Sequence, residues 1–115
     1  IAATYKSALA DTGLVLPHVP NWSDPVWHLF VVRSPDRSCL QERFAAAGVQ
    51  TLIHYPIPPH LQNAYADLPY SRGDYPVAEM LANEVLSLPI GPHLSMEQVG
   101  RVIEVARQPQ KMPSR

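Results

Sequence analysis

The chain has 115 residues, 46% apolar and 17% charged, with a formal net charge of −1. That is one domain's length with enough apolar side chain for a packed core. Without a basic block or aromatic–basic interleaving, nucleic acid is not an expected partner, and no apolar run approaches the roughly 18 residues of a membrane span. Cys39 is the sole cysteine, so there is no internal disulfide and no cysteine-based zinc cluster, which fits a cytoplasmic protein.

The first expected element is a helix, because Ile1, Tyr5, Ala8 and Leu9 fall on one apolar face and Gly13 follows as a closing glycine. No Ser, Asp or Asn cap precedes Ile1, so the helix is expected to be entered part-way and the chain to be a segment of a longer polypeptide. Leu14 to Leu16 is a short apolar run stopped by Pro17 and Pro20, and Asn21 to Pro25 reads as a loop. Val26 to Arg33, rich in β-branched and aromatic residues, predicts a strand with His28, Phe30 and Val32 on one face. Ser34-Pro35 then opens a helix carrying the Leu40/Phe44 pair, ended by Gly48. Val49 to His54 is the second expected strand.

A short helix is expected over 60–68. Asp74 caps a further helix with Val77, Leu81 and Val85 inward and Glu79 and Glu84 outward. Leu86 to Ile90 is too short for a helix and is bounded by turn residues, giving a third strand. Ser95 with Gln98 forms a capping box, after which Val99, Val102, Ile103 and Ala106 give the clearest helical period in the chain. The fold expected from this order is α+β: a small three-stranded sheet with helices packed on one face. From Gln108 a polar, Pro-broken tail (108–115) is expected to fray.

Chemistry concentrates in one stretch, Thr51 to Gln62. Pro56, Pro58 and Pro59 fix the backbone and push Tyr55 and Ile57 towards extended conformations. A stiff turn at a strand end holds His54, Tyr55 and His60 in set directions, which suits a ligand-contacting loop; a plain Pro-rich connection is the simpler alternative. His54 and His60 do not have a recognised metal-ligand spacing, and no third ligand is evident. His28 reads as a hydrogen-bonded core or interface residue, Cys39 as an inert buried thiol, and nothing distinguishes His18 and His93. The only lysines, Lys6 and Lys111, lie on the first helix and in the tail, where neither is set for Schiff-base chemistry.

Several motifs occur in order. They are Trp27 to Arg33; Gly48-Val49, then Ile53-His54-Tyr55-Pro56-Ile57-Pro58-Pro59-His60-Leu61-Gln62 and Tyr65; Tyr75-Pro76-Val77-Ala78-Glu79; Leu86-Ser87-Leu88-Pro89-Ile90; and Leu94 to Val99. Together they resemble the C-terminal small domain of the DegT/DnrJ/EryC1/StrS sugar-nucleotide aminotransferases, over roughly residues 1–107. The resemblance implies part of a fold-type I, pyridoxal-phosphate-dependent homodimer that moves an amino group from glutamate to a nucleotide-linked keto-sugar, TDP-3-keto-6-deoxyhexoses being the best match. It implies that His54, Tyr55 and His60 contact the substrate. It also implies that the cofactor's lysine and phosphate site lie in an N-terminal domain with no counterpart here, so this stretch alone is expected to be inactive. The alternative is a stand-alone, non-catalytic interaction module derived from an aminotransferase.

Overall fold

A computed structural model describes residues 1–109; apart from Gln108 and Pro109, the expected tail lies outside the described residues. The regular elements run α1 (Ala2–Ala8), β1 (Phe30–Arg33), α2 (Arg37–Ala46), two 3₁₀ turns (Pro59–Leu61 and Asn63–Tyr65), α3 (Pro76–Glu84), β2 (Val85–Leu88) and α4 (Met96–Ala106). Strands β1 and β2 pair antiparallel, with Phe30 opposite Leu88, Val31 opposite Ser87, Val32 opposite Leu86 and Arg33 opposite Val85.

The α+β class holds, but the sheet has two strands, not three. Val15 meets β1 at one bridge to Arg33, and Leu52 meets β2 at one bridge to Ser87. The expected 49–54 strand is thereby reduced to a single residue pair, bonded both ways: Ser87 N–H to Leu52 O at 2.7 Å and Leu52 N–H to Ser87 O at 3.3 Å. In an antiparallel ladder the next bonded pairs would be Gln50 with Pro89 and His54 with Val85. Pro89 has no N–H to give, and the Val85 N–H already closes α3 on the Leu81 carbonyl. The ladder is therefore blocked on both sides. β1 is also shorter than expected: it begins at Phe30, Trp27 before it takes a positive φ of 51°, and the expected strand residue Val26 is 94% exposed.

One sheet face builds the core. Phe30, Val32, Leu86 and Leu88 meet Ala2, Tyr5 and Leu9 around α1, Leu40 and Phe44 from α2, and Val99, Val102, Val105 and Ala106 from α4. Trp27 packs at its margin, 5.3 Å from Phe30 between ring centres. His28, read from the sequence as a mid-strand core or interface residue, precedes the strand and is exposed, which rules out the core position; Cys39 is a half-buried free thiol.

The helix ends follow the sequence signals unevenly. Ser95 and Gln98 form the full capping box of α4. Gly48 ends α2 at φ +76°, whereas Gly13 (φ +80°) sits in the turn beyond α1 and does not close it. α2 begins only at Arg37, with the Ser34 hydroxyl accepting the Asp36 N–H at 3.2 Å. Asp74 accepts from Ser71 N–H and leaves the α3 cap position to Tyr75, ahead of Pro76 at the first helical position. Val77 faces solvent, while Glu79 and Glu84, expected outside, pair with His60 and Arg33.

Candidate functional site

The Thr51–Gln62 stretch leaves the sheet at Leu52, and that single anchor sets the direction of the residues after it. Residues of a bonded pair share a sheet face, and the face alternates along a strand. His54, two residues past Leu52, therefore lies on the same face as Ser87, opposite the core. There His54 Nδ1 stands 2.8 Å from Ser87 Oγ. Ser87 is one of two buried polar residues, 5% exposed.

Tyr55 packs edge-on against His54, with ring centres 5.4 Å apart at 83°, and remains 69% exposed. The peptide joining the two is cis. Beyond them Pro58 is buried, and Gln62 Nε2 donates back to Ile57 O at 2.9 Å, closing the proline turn on itself. The turn thus presents a half-buried imidazole with a fixed ring and an exposed phenol beside it.

His54 and Ser87 lie in an open groove of about 1280 Å³ whose polar lining includes His28, His93, Gln98 and Arg101. His93 folds back over Gly91, where a Cβ would stand 2.5 Å from the imidazole Cε1, so only glycine leaves the ring in that place. The lining also carries the Glu42 carboxylate, and Arg101 is paired with Glu104 at 3.1 Å, so the groove suits a polar, hydrogen-bonding ligand.

His60 goes elsewhere. Its ring lines a separate, mostly aromatic hollow of about 340 Å³ with Pro59, Tyr65, Leu68, Tyr70 and Tyr75. The His60 side chain is 6% exposed, its Nε2 lies 3.4 Å from Glu79 Oε2 without forming a hydrogen bond, and its ring is 4.9 Å from Tyr75. Glu79 in turn accepts the Gly73 N–H at 2.8 and 3.0 Å. Tyr75 stands edge-on to Tyr70 with ring centres 5.4 Å apart, and the neighbouring Tyr70 phenol is the main cause of its raised pKa. His54 and Tyr55 are thus brought together, and His60 is not part of their groove.

Ser87 went unnoticed in the sequence because its link to His54 spans 33 residues and depends on the sheet register. Lys6 is the one lysine among the described residues, and it lines neither hollow. Nor does either hollow supply a glycine-rich phosphate cradle.

Known proteins share this sequence and fold. The model of the DegT/DnrJ/EryC1/StrS aminotransferase family matches residues 1–107. The chain is 56% identical over 104 residues to the erythromycin biosynthesis sensory transduction protein EryC1 of Saccharopolyspora erythraea, covering 90% of this chain and 28% of that protein. It is 49% identical over 109 residues to the dTDP-3-amino-3,4,6-trideoxy-alpha-D-glucose transaminase of Streptomyces venezuelae, covering 94% and 29%. Among solved structures, S. venezuelae DesV in complex with a ketimine intermediate superposes with a TM-score of 0.90 at 49% identity, over 93% of this chain and 29% of that one. An aminotransferase of the same family from Brucella abortus gives 0.83 at 34% identity, over 92% and 28%. The chain spans under a third of the length of these relatives.

Proposed function

Because the chain belongs to the DegT/DnrJ/EryC1/StrS aminotransferase family, we propose that it supplies the substrate-side wall of a sugar-nucleotide transaminase. Its best-supported substrate class is a dTDP-linked 3-keto-deoxyhexose, since two similar relatives are dTDP-3-amino-sugar transaminases. On this reading the whole protein is a cytoplasmic homodimer using glutamate as amino donor. Pyridoxal phosphate supplies the electron sink for the transfer and is held by residues that this chain does not carry.

The observation that carries the reading is His54, held to β2 through Ser87 at 2.8 Å in a groove also lined by Arg101 and His93, with the exposed Tyr55 ring edge-on beside it. Tyr55 offers a hydroxyl and a ring face to the sugar. His54 offers its outer ring nitrogen. Arg101 is a charge for the diphosphate. Each group binds and orients, Arg101 by exchanging its Glu104 partner at 3.1 Å for the diphosphate.

The test replaces the matching segment of the S. venezuelae transaminase with this chain. The chimera is expected to aminate a dTDP-3-keto-deoxyhexose. Tyr55→Phe removes one hydrogen bond worth about 0.5–1.5 kcal/mol, so kcat/KM should fall about two- to tenfold. His54→Asn should cost more. Tyr55→Phe should not lower the thermal unfolding midpoint appreciably. A folded chimera without activity, or kinetics within twofold of the parent for both variants, overturns the reading.

A further inference from the structure

The hydroxyl of Ser87 is buried on the non-core face of the sheet, in a strand whose four residues are all buried. Its main-chain N–H and C=O both bond to Leu52. Its side chain has a single hydrogen-bond partner among the described residues, Nδ1 of His54. A serine hydroxyl is both donor and acceptor, and neutral imidazole carries its proton on one nitrogen or the other, so two arrangements satisfy the 2.8 Å contact. They are not equivalent. If Nδ1–H donated to Oγ, the hydrogen of this 5%-exposed serine would be left without an acceptor among the described residues. If the hydroxyl donates to Nδ1, the serine hydrogen is used, and the imidazole proton must sit on Nε2, which is left free to donate to a ligand. Stranding a buried donor shifts such an equilibrium by on the order of tenfold or more.

We propose that Ser87 is a positioning residue that holds neutral His54 as its Nε2–H tautomer, so that His54 meets an oxygen of the nucleotide-linked sugar as a hydrogen-bond donor and not as a base. This rests on the substrate reading given above. Ser87 holds His54 at two levels. Its backbone anchors Leu52, two residues upstream, and its side chain fixes the ring, so ring direction and proton position come from one residue in a buried strand. The edge-on Tyr55 ring closes another side of the imidazole. A donor on Nε2 suits a carbonyl or phosphate oxygen, neither of which has a proton to give up.

The tautomer can be read without substrate. The ¹⁵N-labelled 115-residue chain, held above the imidazole titration range, is examined by two-bond proton–nitrogen correlation, with His54 assigned by the loss of its signals in His54→Gln. The parent should show a protonated Nε2 and an unprotonated Nδ1. Ser87→Ala should give a mixture of both forms, and Ser87→Thr, which keeps the hydroxyl, should restore the parent pattern. A purely structural serine would change the unfolding midpoint and leave the tautomer alone. An Nδ1–H form in the parent, or a Ser87→Ala spectrum identical to the parent, overturns the proposal. The parent measurement stands even if a variant fails to fold. Failure of the transaminase reading would look different, with the tautomer as expected but kinetics of the His54 variants in the chimera unaltered.

Discussion

The phenol of Tyr5 is fully buried and donates to the Pro89 carbonyl at 2.6 Å, joining α1 to the residue that ends β2. Burial pushes its pKa up to about 12, against 10.0 for an ordinary tyrosine. The folded-state value lies above the unfolded one, so the unfolded chain loses this proton first as pH rises. The resulting stability is complete below pH 10.0 and is lost as pH approaches about 12. Tyr5→Phe is expected to lower stability near neutral pH by about 0.5–1.5 kcal/mol in urea titrations. The variant should also show a shallower fall in stability across that alkaline window; an identical alkaline profile would count against the account. At this scale the sequence was legible where chemistry is local. His54 and Tyr55 are neighbours in the chain and remain neighbours in space. His60 parts from them because the two 3₁₀ turns after Pro58 direct its ring towards Glu79, far along the chain at the start of α3. Arg107 is another example: its guanidinium hydrogen-bonds Asp11 at 2.6 Å and holds that carboxyl below its ordinary range, a pairing that sequence spacing does not reveal.

α4 carries its own instructions: a reciprocal Ser95/Gln98 cap followed by apolar residues at helical spacing. Ser95→Ala should therefore destabilise by about 0.5–2 kcal/mol, read as a lower urea midpoint with unchanged slope. Gly48→Ala meets no neighbour within 4 Å, so its effect should come from the positive φ alone, about 1–2 kcal/mol. A neutral result there would mean that the turn relaxes. Strands are less self-sufficient than such a helix, because each residue needs a partner's free N–H and C=O. Val49 to His54 has the composition of a strand, yet Pro89 and the α3 cap withhold the bonds it would need. Propensity in one segment was overruled by a missing donor in another, and a single sequence window does not contain that information.

Across the molecule, the helix-on-sheet arrangement was readable from element order and apolar periodicity, while the sheet's width was not. The chain's relation to cofactor chemistry is also a whole-molecule property. With Lys6 lining neither hollow, purified chain treated with pyridoxal phosphate and borohydride should gain no stoichiometric pyridoxyl mass. A full adduct on Lys6 would reverse the assignment of the cofactor to residues beyond this chain. The core draws on both ends of the described sequence: Ala2, Tyr5 and Leu9 pack with Val99, Val102 and Val105, and Arg107 donates to the Ala8 carbonyl at 2.6 Å across 99 positions. Local contacts cannot bring these helices together, and closing so long a loop costs entropy before any contact compensates. On the ribosome, then, the apolar face of α1 can meet Phe30 early but must wait for its α4 partners, which are translated almost a hundred codons later. Nascent chains stalled before Val99 should be cleaved readily by protease, and resistance should appear only once α4 has cleared the exit tunnel.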